Sequence, residues 1–267
     1  MKKFLSFFLF SVLLISPFLF PVVSYADSSP SRVMRLFEGF RIKLVSGRTI
    51  IYGKTVSAAA AFACGDNVTF TYNGGSVTYG TVTGADGKCW MDRNLGATQV
   101  AVSSTDTASY GHLFQWGRSP DGHQVTTSGT TATNADVPGN NLFITETVSP
   151  YDWRVNQDGT LWATSGSTNN PCPASWHVPT QAEWVTVAGF FSPQTSVGAF
   201  NSAPKLPLAG YRYRADGLLN LQGSYGIYWS SSPFGTFAYD LGFSSGGVDP
   251  AVSDNRAYGF SVRCVKD

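Results

Sequence analysis

The chain has 267 residues, a formal net charge of +1, 13% charged residues and 14% aromatic ones. The charged share is about half the usual ~25%, and with rings so plentiful the composition excludes a disordered chain. The near-neutral balance also argues against a nucleic-acid binder and against partners drawn in by long-range electrostatics.

In chain order, Lys2 and Lys3 precede an apolar run from Phe4 to Val23, and Ser24-Tyr25-Ala26 places small residues where a signal peptidase reads. Residues 1–26 are therefore expected to be a signal peptide, and the protein to be secreted or held at the cell surface. An uncleaved anchor is the competing reading, since a bilayer needs ~20 apolar residues; Pro17 and Pro21, which interrupt the run, weigh for cleavage. No membrane span is expected after cleavage. Residues 27–63 read as a leader or linker of weak order, with Phe40–Val45 alternating like a short strand and Ser57–Phe62 suited to a brief helix.

From Cys64 onward the patterning sharpens. Val68–Tyr72 alternates, Asn73-Gly74 is a strong hairpin turn, and Ser76–Val82 returns. Asp86-Gly87 then turns the chain into Lys88–Met91. Ser109–Gly117 shows apolar residues at helix-like intervals. Residues 118–170 form a connection long enough to be functional or an insertion, in which Phe143, Tyr151, Trp153 and Trp162 are expected to pack down.

The best-specified stretch is Asn170–Trp184. Pro171, Pro173 and Pro179 forbid a helix before Thr180. Thr180-Gln-Ala-Glu183 then fits a capping box, and Trp184, Val187 and Ala188 follow on one apolar helix face. Beyond it, Lys205–Tyr213, Leu218–Gln222, Tyr225–Ser232, Thr236–Phe243 and Tyr258–Cys264 read as strands of an antiparallel sheet.

Four cysteines, Cys64, Cys89, Cys172 and Cys264, in an exported chain favour two disulfides over free thiols. Three pairings are possible. Cys64–Cys89, closing a hairpin, and Cys172–Cys264, joining the helix approach to the chain end, are the favoured ones.

Six blocks resemble a known family: Gly87–Gly96, Tyr110–Gly117, Asn170–Thr180, Leu208–Arg212, Tyr228–Ser232 and Gly259–Cys264 are similar to the Fibrobacter succinogenes major paralogous domain, over residues 64–267. The resemblance implies an α+β, C-type-lectin-like fold of the kind shared with the formylglycine-generating-enzyme group. In that fold, one or two helices pack on twisted antiparallel sheets, and long irregular loops carry the ligand surface.

The chemistry-bearing residues point more to binding than to catalysis. Gly242-Phe-Ser-Ser-Gly246 matches a nucleophile elbow, but the last histidine, His177, precedes it and the context reads as β. His112, His123 and His177 show no metal-ligand spacing. Asp152, Asn156 and Asp158 put three oxygen donors in one loop, a set that calcium accepts and that turns use equally. A formylglycine-type oxidase would use Cys172 and Cys264 as reactive thiols.

The late segment mixes rings with planar polar groups, and Tyr239, Asp254, Asn255, Arg256 and Tyr258 are the expected ligand-binding residues, placed on turns between strands. The expectation is a non-catalytic recognition module that binds a glycan or an extracellular protein. The alternatives are the oxidase and a structural surface protein without a small ligand.

Overall fold

A computed structural model describes residues 61–267 in full, and before them the backbone of three strands within 33–53. The expected signal peptide, and most of the expected helix at Ser57–Phe62, lie outside the described residues. The chain divides into two units, 1–61 and 62–267.

In the first unit, β1 (Val33–Leu36), β2 (Phe40–Val45) and β3 (Arg48–Gly53) form an antiparallel meander. The strand expected at Phe40–Val45 is therefore present, with a partner on each side.

The second unit is rich in sheet, with two α-helices among its described residues. Its first hairpin joins β4 (Val68–Tyr72) to β5 (Gly75–Tyr79). Asn73 and Gly74 both take positive φ, 50° and 78°, as a type I′ turn requires. The single return strand expected over Ser76–Val82 is broken at Gly80, which exchanges backbone and side-chain hydrogen bonds with Asp92. Beyond that break, β6 (Thr81–Thr83) pairs instead with β7 (Cys89–Met91).

The helix expected at Ser109–Gly117 is a strand. After one 3-10 turn at Thr107–Ser109 the chain runs as β8 (Leu113–Gln115), bracketed by Gly111 and Gly117 at φ 71° and 76°. All three β8 residues are buried, so both faces are covered and the period-2 alternation that marks a half-exposed strand is lost. In the long connection that follows, β9 (Thr130–Thr131) and β10 (Phe143–Ile144) make a short parallel pair. Phe143, Trp153 and Trp162 are buried there, and Tyr151 is half-buried.

β11 (Trp176–His177) leads into α1 (Gln181–Ala188). Thr180 caps α1: its hydroxyl accepts from the Glu183 N–H, and the Glu183 carboxylate accepts from the Thr180 N–H. A second helix, α2 (Ser196–Asn201), starts at Thr195, whose side chain accepts from the Val197 N–H.

The strands β12 (Tyr211–Arg212), β13 (Leu219–Asn220), β14 (Tyr225–Phe234), β15 (Phe237–Ser244), β16 (Gly247–Asn255), β17 (Gly259–Ser261) and β18 (Val265–Lys266) complete the chain. The largest sheet runs β13-β12-β17-β14-β15-β16, with β8 on β17; a second runs β11-β18-β7-β6. β14 and β17 are parallel, so the sheet is not purely antiparallel.

β16 occupies residues expected as turns, and puts Asp249, Asp254 and Asn255 on a strand. It contains Pro250, which disguises a strand in sequence yet is tolerated here because β16 is the sheet edge.

The two faces of this sheet differ. On one, Trp184, Val187 and Ala188 of α1 pack against Tyr228, Leu241 and Phe243. On the other lie Ile227, Trp229 and Phe260. All seven tryptophans are buried, and five donate their indole N–H to main-chain carbonyls: Trp116 to Ser230, Trp153 to Trp116, Trp162 to Asn169, Trp184 to Trp229 and Trp229 to Phe114. Each ring thus buries a large apolar surface without orphaning its donor.

Disulfides join Cys64 to Cys89 and Cys172 to Cys264, the expected pairing. The second fixes the approach to α1 against the segment that precedes β18.

Candidate functional site

Side chains alternate across a strand, so β14 sends Tyr225, Ile227 and Trp229 to the face opposite α1. On β15, Asp240 and Gly242 share that face, because Asp240 pairs with Trp229 and Gly242 with Ile227. On β16, Val252 and Asp254 join them, paired with Asp240 and Ala238.

The result is a concavity of about 250 Å³ in which Tyr211, Tyr225, Asp240, Asp254 and Tyr258 converge over a base of Ile227, Gly242 and Phe260. The rings are mutually braced: Tyr211 meets Tyr258 edge-on at 5.6 Å, and Tyr258 stacks on Phe260 at 5.4 Å. Phe260 in turn lies 4.2 Å from Trp229, tying the wall to the core.

Asp240 is the chemical anomaly of this surface. It is 1% exposed, and among the described residues neither of its carboxylate oxygens has a hydrogen-bond partner. A buried, unpaired carboxylate is costly. Burial, reinforced by the charges of Asp254 and Asp249, pushes its carboxyl well above the usual aspartate range. Burial also raises Asp254, and Tyr225 is raised by burial and then by Asp240, Asp249 and Asp254. Among the described residues, no lysine, arginine or histidine lines the concavity. The site is aromatic, acidic and under-satisfied.

The five expected binding residues separate. Asp254 and Tyr258 line the concavity. Tyr239, next to Asp240 on β15, points to the other face, its ring 4.9 Å from Phe234. Asn255 ends β16 half-buried. Arg256 is 2% exposed and donates to the carbonyls of Phe237, Asp158 and Gly235, with its guanidinium 4.5 Å over the Trp116 ring. Arg256 therefore fastens the 158 loop and the β14–β15 turn to the core.

Tyr211, Tyr225 and Asp240 were not expected. Asp240 had a legible mark, a charge at an inward position of the alternating run Thr236–Phe243.

The three residues considered for calcium make hydrogen bonds within the protein. Asp152 is 2% exposed and accepts from the Arg154 N–H and the Gln157 amide. Asn156 bonds Asp136, and Asp158 accepts from Thr160. Among the described residues no group of three or more His, Cys, Asp or Glu is placed to hold a metal ion.

All three histidines hydrogen-bond within the protein. His123 is fully buried, with Nε2 accepting from the Gln115 N–H and Nδ1 2.7 Å from Asp121. Burial, offset only in part by Asp121, lowers it to about 4 and keeps it neutral. His177 places Nε2 3.1 Å from Glu183 and Nδ1 2.8 Å from Asp267. Burial opposes its charge, but the two carboxylates outweigh burial and raise it. His112 bonds the Tyr72 hydroxyl at 2.8 Å, beside a second concavity of about 470 Å³ that also holds Tyr79 and Arg93. There Arg93 is ion-paired to Asp92 at 2.8 Å, so that surface carries no comparable unmet demand. Gly242–Gly246 is a strand leading into a turn and another strand, without the helix that an elbow needs.

A family model described as a domain of unknown function (DUF8237) matches residues 199–265. That span contains every residue named in the first concavity. No curated protein and no solved structure matches the chain.

Proposed function

We propose that this chain is an exported, non-catalytic recognition module of C-type-lectin-like fold, related to the Fibrobacter succinogenes major paralogous domain, which binds a glycan or an extracellular protein through the concavity at Tyr211, Tyr225 and Tyr258. The observation that carries the reading is Asp240: a buried carboxyl without a protein partner, facing a ring-walled hollow, is a cost that a ligand relieves. The sequence blocks that carry the family resemblance support the fold. Export is supported by the two disulfides and by the apolar run Phe4–Val23. The oxidase alternative needs Cys172 and Cys264 as thiols; they are bonded to each other and 8% and 0% exposed, which favours recognition.

A glycan array and a pulldown from extracellular material, run with wild type and Tyr225→Ala, test the proposal. The expected result is a ligand retained by wild type and lost by the variant. Capture that is indifferent to Tyr225→Ala and Tyr258→Ala, or turnover of a substrate at another surface, contradicts it.

A further inference from the structure

The concavity is selective in what it offers. Its walls hold the carboxyls of Asp240 and Asp254, and Asp249 is paired with Gly242 at its base. Three tyrosine rings stand around them, and no basic side chain among the described residues lines the hollow. The Arg214 guanidinium lies 5.9 Å from the Tyr258 ring but stacks at 3.8 Å on Tyr151 and donates to the Glu146 carbonyl. Ile227 at the base, Val252 and the exposed Leu221 also line the hollow and give it an apolar sleeve.

Cations are attracted both by carboxylates and by the faces of aromatic rings. A hydroxyl group would satisfy one Asp240 oxygen yet leave the repulsion among Asp240, Asp249 and Asp254 in place. A positive charge turns that repulsion into attraction. The apolar sleeve then asks for a hydrocarbon stem behind the charge, as a lysine side chain has and a sugar ring lacks. At about 250 Å³ the hollow has room for one such side chain.

We propose, on the footing of the recognition reading above, that the concavity takes a lysine side chain of an extracellular partner protein, with its ammonium at Asp240 and Asp254 and its methylenes among Tyr211, Tyr225, Tyr258 and Val252. Asp240 is the specificity-determining group. It destabilises the unliganded fold and is repaid on binding, so it should trade stability against affinity.

The test is a nuclear magnetic resonance titration of the full chain with four probes: Nα-acetyl-lysine methylamide, the same compound acetylated at Nε, glucosamine and calcium chloride. The lysine probe is expected to shift the amides around Asp240 and Tyr225, and Nε-acetylation to weaken it by about tenfold or more, since a charge-assisted hydrogen bond is lost. Asp240→Asn should weaken the lysine probe to a similar degree while raising the thermal midpoint of the unliganded protein, an opposition that a purely structural role would not produce. Equal affinity for the Nε-acetylated probe, preference for glucosamine or calcium, no response to the lysine probe, or unchanged affinity in Asp240→Asn would each overturn the proposal. If that happens while Tyr225→Ala still abolishes capture of a glycan or protein, recognition at this site stands without the lysine. If Tyr225→Ala changes no capture, both readings fall.

Discussion

Asp240 and Asp254 lie diagonally across the β15–β16 ladder, Asp240 paired with Val252 and Asp254 two residues further along the same strand, so both carboxyls project from one face of the sheet. Diagonal neighbours stand roughly 7–8 Å apart, close enough for the Asp254 charge to add to the cost that burial puts on an ionised Asp240.

That relationship fixes a pH dependence. The folded state holds Asp240 well above the ordinary aspartate value, so above that ordinary value, ~3.9, the native protein binds more protons than the unfolded chain. Stability falls as pH rises from there towards the raised value, and then levels. Asp240→Asn removes this term. Its thermal midpoint should match wild type near pH 3 and exceed it increasingly towards neutrality, as read by calorimetry across pH; a constant difference contradicts the assignment.

Glu183 gives the opposite slope. Burial would raise its carboxyl, but hydrogen bonds from His177, Lys88 and the Thr180 N–H outweigh burial and pull it to about 2. Its stabilisation is present above ~4.3 and is lost as pH falls towards 2. The raised His177 acts at the other end: its contribution is whole below ~6.5 and fades as pH climbs through the raised value. Glu183→Gln should cost about 2 kcal/mol at neutral pH, the sum of a weakened cap and lost charge-assisted bonds, measured by denaturant unfolding.

Arg256 is predicted to matter for folding before binding. Truncation to Ala leaves the carbonyls of Gly235, Phe237 and Asp158 without their donor and the buried Asp152 without the cation 3.7 Å away. The loss should be about 3 kcal/mol or more, seen in urea unfolding. A variant as stable as wild type would show that the buried guanidinium is dispensable.

The Cys172–Cys264 bond spans 92 residues. Replacing both cysteines with Ala should lower stability by about 4.6 kcal/mol, the loop-entropy value for that span, while thiol titration of the native wild type should find no reactive cysteine. Two titratable thiols in the native protein would revive the oxidase reading.

How much was legible follows from how local each cause is. The capped helix was readable because Thr180, Glu183 and the prolines before them act within a few residues of one another. That the cysteines pair was readable from their even number and the expected export, which left three pairings open. β8 was not, since burial on both faces erases alternation, and β16 was not, since Pro250 is compatible with a strand only at an edge that topology alone defines. The candidate site was half legible: Asp254 and Tyr258 stood out as a polar group and a ring, whereas Tyr211 and Tyr225 reach the hollow only through the parallel pairing of β14 and β17 and the antiparallel pairing of β12 with β17. Arg256 looked available because its carbonyl partners are distant in sequence.

The most direct measurement is amide chemical-shift mapping of the full chain with its captured ligand. The account predicts shifts concentrated at Tyr211, Tyr225, Asp240–Gly242 and Val252–Tyr258, and their disappearance in Asp240→Asn. Shifts confined to the other hollow, at Tyr72–Tyr79 and His112, or a pattern unchanged by Asp240→Asn, would contradict it.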